Sequence, residues 1–396
     1  MSFNIARSGL NAITEQLTAV SNNIANVNTT GYKSMRAELA SMYAEKQPLG
    51  VGVTGITQSI SRQGAITASA NSLDMAISGN GFFVVRDDAG NTAYTRAGYF
   101  NTDAAGNLIN NLGMYVQGYP VGANGALQIG TVGNLTISSG TIPAKATSTL
   151  DFTANLNANE TVPTIDPFDP SNSDTYNHTY TTQVYDSLGR EHTLSQYFVK
   201  TDDNTWEVHY YLDNAKIADT PQKMEFTTQG VLKTPLAPIA LTADVPGADK
   251  LNIALDYTGT TQYGSDFAVS RSKGNGYESG KRTGVAIEED GSIYATFSNG
   301  ERLLQGQVVL ASFENPNGLS SQNGTTWAQT SKSGAPLIGV AGSGLLGSIK
   351  SGSTEGSNVD LTLELVSLME FQRNYQANTK VISTNDNMTS ALLQAV

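Results

Sequence analysis

Apolar residues at the start of the chain recur at alternating intervals of three and four: Phe3, Ala6, Leu10, Ile13, Leu17, Val20, Ile24 and Val27. That spacing is a heptad seam rather than a broad amphipathic face, because a 3.5-residue repeat holds one narrow stripe against a partner helix. It predicts a helix over residues 3–28, roughly 40 Å long. Ser2 can cap its start, and Thr29-Thr30-Gly31 supplies a stop, with Gly31 able to take the left-handed C′ conformation. The opposite face holds Asn11, Thr14, Thr18, Ser21, Asn22, Asn26 and Asn28, with Arg7 and Glu15 its only charges. A solvated helix ordinarily carries Lys and Glu pairs there, so small uncharged residues suit a helix whose second face also packs. Asn and Thr are weak helix formers, which makes this helix marginal by itself.

The last forty residues mirror this pattern. Leu361, Leu365, Leu368, Tyr375, Ile382, Leu392 and Val396 fall close to a 3–4 repeat, with Phe371, Val381 and Met388 beside it. Asn358 or Asp360 can cap the start, and Glu364 lies in the first turn, where the helix dipole favours a carboxylate. Gln372 and Asn385 interrupt the seam at a cost in stability, and such residues can set register. Two readings fit: the terminal helices pair within one molecule, or the pair also stacks against copies of itself. Two helices on the ends of a β-rich body have little else to bury against.

Between them the period changes to two. Met35 to Tyr43 predicts a short helical turn broken by Pro48, after which Ile56, Gln58 and Ile60 begin a strand. Residues 71–146 are dense with strand and turn signals, among them Asp88-Ala89-Gly90-Asn91 and Asp103-Ala104-Ala105-Gly106-Asn107. Residues 281–349 have the same character, with Glu289-Asp290-Gly291 as a turn and Gln307 to Phe313 as a strand. The stretch between is set apart by its own alternation: Leu150, Phe152, Ala154 and Leu156, then a hairpin from Val184 to Val199 about Asp186-Ser187-Leu188-Gly189, then Trp206, Val208, Tyr210 and Leu212. It reads as a separate antiparallel β domain.

The predicted architecture is therefore multidomain, with mainly β outer domains nested between N- and C-terminal α-helices that pair as a coiled coil. Residues 1–31 and 358–396 form a helical assembly core, and 32–70 with 350–357 a connector. Residues 71–146 with 281–349 form an inner β domain, and 147–280 an outer β insertion. The seam expected to carry self-assembly is Leu10, Ile13, Leu17, Val20, Ile24 and Val27 with Leu361, Leu365, Leu368, Tyr375, Ile382 and Leu392.

Composition supports this picture and removes alternatives. With 39 Gly, 17 Tyr and 15% charged residues, the chain favours strands and turns. A net charge of −12, with no basic run, argues against nucleic acid. The absence of cysteine excludes disulfides, thiolate metal sites and cysteine nucleophiles. The first 25 residues lack a basic region followed by an apolar core, so no cleavable secretory signal is expected. No apolar run approaches 18 residues, so no membrane insertion is expected either.

Candidate chemistry is sparse. Gly50-Val51-Gly52-Val53-Thr54-Gly55 and Gly342-Ser343-Gly344-Leu345-Leu346-Gly347 fit dinucleotide spacing. The mechanism needs a strand before and a helix after; one runs into an alternating strand and the other into Ser- and Gly-rich sequence, so both read as turns. His178, His192 and His209 lie near Asp174, Asp186 and Glu191 but lack i, i+2 or i, i+4 ligand spacing, and read as surface strand histidines. No G-x-S-x-G elbow occurs. Tyr176, Tyr180, Tyr210 and Tyr211 would offer aromatic surface to carbohydrate, as in an adhesin, but such residues more often pair across strands. No catalytic residue, cofactor or metal site is expected.

Two stretches carry a resemblance. Ser8-Gly9-Leu10-Asn11-Ala12, with Asn22-Asn23-Ile24-Ala25-Asn26-Val27-Asn28-Thr29-Thr30-Gly31-Tyr32-Lys33, resembles the N-terminal signature of flagellar rod and hook proteins. Glu355-Gly356-Ser357-Asn358-Val359-Asp360-Leu361 and Gln372-Arg373-Asn374-Tyr375-Gln376-Ala377-Asn378 resemble the matching C-terminal signature. Asn22, Asn23, Ala25, Asn26, Gly31, Tyr32, Lys33, Asn358, Gln372, Arg373 and Gln376 are its signature residues here. Gly81-Phe82-Phe83-Val84-Val85 and Gly113 to Tyr119 also resemble the hook and distal-rod body. The large middle insertion favours the hook over the distal rod or another axial subunit. The resemblance implies a structural subunit, not an enzyme, that is exported to the flagellum and polymerises into a flexible curved tube carrying torque from rod to filament. It also implies contacts with the distal rod, hook cap, hook–filament junction protein and export apparatus.

Overall fold

The structure, a computed structural model, describes residues 2–44, 47–122, 125–138 and 140–394. The side chains of Ser2 and Leu392, and all of Val396, lie outside what is described, so the cap expected of Ser2 and the last two seam positions are not placed. The chain divides into two compact units: Met1–Ser139 with Gly284–Thr296 and Arg302–Val396, and Gly140–Thr283 with Phe297–Glu301.

The first unit begins with helix α1 (Ser2–Ala25), three residues shorter than the seam predicts. Val27 therefore lies beyond the helix in a run of turns. Gly31 does adopt a left-handed φ of 72°, but as part of that run rather than as the helix C′ residue. Met35 to Tyr43 is not helical. It forms strand β1 (Met35–Ala44), paired antiparallel with β2 (Gln47–Gln58), and Pro48 lies inside β2 instead of ending an element. Residues such as Ala, Glu, Leu and Met favour helix intrinsically, but here cross-strand pairing and the neighbouring helix override that preference. The Gly50–Gly55 pattern is likewise strand, not turn, whereas Gly342–Gly347 is a turn.

Two short ladders join the outgoing and returning chain: Ile66–Ala68 pairs with Ser353–Glu355, and Met75–Ser78 with Ser348–Ser351. Beyond them the long strand Arg302–Ser312 pairs with Tyr115–Pro120, Phe82–Arg86 and Leu337–Val340. Its burial follows the apolar pattern of Val308, Val309, Leu310 and Ala311, all fully buried. The predicted turns hold: Asp87 and Asp103 each accept hydrogen bonds from the amide four residues on, and Gly90, Gly106 and Gly291 take positive φ.

The second unit is a sandwich of two sheets. One contains Thr149–Asn157, Ile239–Ala243, Leu251–Asp256, Thr261–Tyr263 and Ala268–Gly274; the other runs from His178–Tyr185 through Glu191–Asp202 and Thr205–Leu212 to Leu232–Thr234. Leu150, Phe152 and Leu156 meet Leu194, Phe198, Trp206 and Val208 in its core. The predicted alternation is what builds this core. The expected purely antiparallel order is not observed, since Thr149–Asn157 runs parallel to Leu251–Asp256 and Thr261–Tyr263.

Its histidines are not the surface residues that the alternation suggests. His209 stacks on Phe168 at 4.0 Å, and His178 on Phe267 at 4.5 Å. His192 bridges Asp213 (Nδ1, 2.5 Å) and Asp186 (Nε2, 3.3 Å). Burial pulls the His192 pKa down, but the two carboxylates outweigh it and the net shift is upward. Burial also opposes the Asp186 charge, yet Arg190 and His192 draw its pKa down to about 2. A raised histidine stabilises below its unfolded value near 6.5, and that contribution fades as pH rises through the folded value. The Asp186 contribution is complete above about 3.8 and fades as pH falls toward 2. His178 and His209, lowered by burial, act oppositely to His192, so a single difference isolates the bridge. The melting-temperature gap between wild type and His192→Gln is expected to be larger at pH 6 than at pH 8.5. A pH-independent gap in calorimetry of the full chain would contradict the bridge.

Candidate assembly surface and the junction beneath it

Helix α1 buries Ala6, Ala12, Ile13, Ala19, Val20 and Asn23. Ala6, Ile13 and Val20 keep the seven-residue spacing of the predicted seam, while Leu10, Leu17 and Ile24 are half-buried. Two neighbours cover this helix: α2 (Leu361–Gln394) and the β1–β2 hairpin. Against the hairpin, Ser8 Oγ accepts from the Val51 amide at 3.2 Å. A Cβ on Gly50 would stand 2.0 Å from that oxygen, so glycine is what permits the approach.

Against α2, Asn23 donates to Glu364 Oε1 at 2.9 Å, and Gly9 faces Asn378. Moving from Gly9 to Asn23 on one helix and from Asn378 back to Glu364 on the other covers equal numbers of residues, so the helices are antiparallel in one register. With 24 residues in α1 and 34 in α2, the C-terminal end of α2 runs past the start of α1. The half-buried positions of α2 are Glu364, Ser367, Leu368, Phe371, Asn378, Thr379, Ile382 and Asn385.

This placement divides the predicted seam. Leu368 and Ile382 are half-buried as expected, and Tyr375 lies between them at 40% exposure. Leu361 and Leu365 do not share that covered face: they are 42% and 44% exposed, alongside Val366 at 52% and Met369 at 56%. The register set by Asn23 with Glu364 turns them away from α1. Among the described side chains of α2 not one is buried. A helix of this length gains its stability mainly from tertiary packing, and one intramolecular partner leaves most of its apolar surface in water.

Beneath the helix pair the signature residues converge. Asn23 Oδ1 accepts from the Met35 amide and the Tyr32 hydroxyl, and its amide donates back to the Met35 carbonyl. Asn358 accepts from the Ser34 amide and donates to the Ser59 and Arg62 carbonyls. Arg62 returns a short hydrogen bond to the Asn358 carbonyl. The Asn358 side chain is thus spent here, and Asp360 caps α2 through the Thr362 and Leu363 amides. Lys33 Nζ donates to Glu355 Oε1 at 2.6 Å and to the Arg62 carbonyl; Arg96 Nη1 meets Glu355 Oε2 at 3.1 Å. Glu355 and Lys33 have fully buried side chains. Burial lowers the pKa of both Lys33 and Arg96, which Glu355 opposes. Gly31 donates its amide to the Glu355 carbonyl, and a Cβ there would stand 2.6 Å from the Ala97 nitrogen.

Asn23, Gly31, Tyr32, Lys33 and Asn358 therefore act as one junction. Asn22, Ala25, Gln372, Arg373 and Gln376 are exposed, and Asn26 is half-buried. Sequence reasoning missed Glu355 and Arg96 as members. The available signal was Lys33 itself: a lysine amid signature residues needs a carboxylate if buried, and Glu355 opens the C-terminal signature.

Comparison with known proteins agrees with this arrangement. The family models "Flagella basal body rod protein" and "Flagellar basal body rod FlgEFG protein C-terminal" match residues 3–33 and 350–395. "Flagellar hook protein FlgE/F/G D1 domain" matches 76–153, and "Flagellar basal body protein FlaE D2 domain" matches 155–277. Flagellar hook protein FlgE of Escherichia coli (strain K12) is 39% identical, covering 99% of both chains. The chain belongs to the flagellar hook protein family. The hook protein of Brucella suis biovar 1 is 31% identical over 98% of this chain and 96% of its own. The crystal structure of Helicobacter pylori flagellar hook protein FlgE2 shares the fold at a TM-score of 0.55 and 17% identity, covering 72% of this chain and 99% of that one. Membership in the hook family makes this a structural subunit of the flagellum rather than an enzyme. Among the described residues no helix is long and apolar enough to cross a membrane.

Proposed function

We propose that this hook subunit polymerises into a flexible curved tube through its terminal helices, and that the tube transmits torque from rod to filament. The observation that carries the reading is α2: an apolar stripe of Leu361, Leu365, Val366 and Met369 exposed to water, on a helix with no buried side chain among those described. Isolated apolar residues on a surface need no explanation, but a contiguous helical stripe marks an interaction site. Copies of the same helix pair supply the missing cover. The β1–β2 hairpin adds a second exposed apolar surface through Leu39, Met42, Tyr43 and Ile56. Subunits leave the cell without a cleavable signal peptide, and the finished tube contacts the distal rod, the hook cap, the hook–filament junction protein and the export apparatus, by resemblance to the family. The seam, the signature residues and the nested division into assembly core, connector and two β domains form the working map of this assembly. The test is electron microscopy of purified full-length protein at rising concentration: curved tubes are expected, and a permanently monomeric protein would overturn the reading.

A further inference from the structure

A cavity of about 230 Å³ opens into the first unit between Ile60, Phe82, Arg96, Ser312, Phe313 and Leu345. Its walls belong to a core cluster that also holds Tyr94 and Trp327, so the floor is rigid and apolar. Arg96 is 3% exposed. One of its terminal nitrogens meets Glu355 and the other the Gly79 carbonyl, but its Nε is buried without a partner. A buried donor left unpaired costs about 1–3 kcal/mol, and buried polar groups are almost always matched. At the mouth the situation is reversed. Leu345 is 82% exposed, on a turn where Gly342 and Gly344 take φ of 75° and 57°. Next to it, Leu337 and Ile338 are 69% and 37% exposed, and their strand, Leu337–Val340, pairs among the described strands only with Arg302–Ser312.

An apolar hole, an unpaired N–H in its wall, exposed apolar side chains at its rim and an open strand edge beside it together specify an occupant. It must offer an apolar side chain and a main-chain carbonyl. We infer that the occupant is a second copy of this chain, which inserts such a residue into the cavity and lays its backbone along Leu337–Val340. A knob on one surface entering a hole on a different surface is a heterologous contact, and repeated without closure it generates an open helical array. The inference rests on the polymerising function proposed above and assigns it a contact outside the helices.

Two substitutions in the full-length protein test it: Ser312→Leu, which fills the cavity from inside, and Leu345→Ser, which removes apolar surface from its exposed rim. Each is expected to raise the critical concentration for tube formation about tenfold, as loss of one interfacial anchor does. The thermal unfolding of the Leu345→Ser monomer should stay unchanged. A photo-crosslinking side chain at Ser61, on the rim, should give subunit-to-subunit products in assembled tubes, and it remains informative if Ser312→Leu does not fold. Wild-type tubes with an unchanged critical concentration for Leu345→Ser, or crosslinks confined within one chain, would overturn the cavity contact alone. A wild-type protein that never assembles would remove both the contact and the polymer.

Discussion

Replacing Leu365 by Asp is expected to abolish tube formation while leaving both β units folded. Leu365 is 44% exposed in the single chain, so the substitution breaks no internal core, and the free subunit should melt within about 1 °C of wild type. In the tube the same position would be covered, and an unpaired carboxylate taken out of water costs several kcal/mol. Every subunit carries the defect. A loss of about 4 kcal/mol per subunit raises the critical concentration roughly a thousandfold, beyond any practical protein concentration. Leu17→Asp also disrupts assembly but for a second reason, since Leu17 is half-buried within the chain. Sedimentation and electron microscopy of Leu365→Asp, beside circular dichroism of the monomer, separate the two. Normal tubes from Leu365→Asp would show that this stripe of α2 faces solvent in the polymer.

The contrast between Leu17 and Leu365 shows what was legible. The heptad spacing of Ala6, Ile13 and Val20 reports a covered stripe on α1 because spacing fixes which residues share a face. It cannot say which stripe of α2 meets it. The leucines dominate the pattern of α2, yet the polar pair Asn23 and Glu364 sets the register and turns Leu361 and Leu365 outward. The β1–β2 hairpin was hidden for a related reason. Met35–Ala44 has residues that accept a helix, and its strand conformation comes from pairing with β2 and from the Asn23 side chain, which binds Met35 at both amide and carbonyl. The outer sandwich was legible because its alternation is unbroken from Leu150 to Leu156 and from Trp206 to Leu212. The parallel partner of Thr149–Asn157 lies about a hundred residues away, and a period of two carries no strand direction.

The junction is the part least visible in sequence and the one whose loss should cost the folded subunit most. Glu355 lies over 300 residues from Lys33, and its carboxylate is the shared partner of Lys33, Arg96 and the Gly64 amide. Glu355→Ala removes the anion and leaves two cations in a buried site. Breaking a buried ion pair from one side typically costs about 3–5 kcal/mol, which for a unit of this size corresponds to a fall in melting temperature of roughly 10 °C. Lys33→Met should cost less, because Arg96 still pairs with Glu355. In the double variant Lys33→Met, Glu355→Ala the effects should fall short of additive, since the partners are already lost to each other. Calorimetry of the full chain measures all three, and a Glu355→Ala protein melting within about 1 °C of wild type would deny the carboxylate its role. The expected pattern also distinguishes the two halves of the assembly surface. Leu365→Asp should lose tubes without losing stability, whereas Glu355→Ala should lose stability first. Tubes suffer then only because the strands that carry Lys33 and Glu355 also hold the base of both helices.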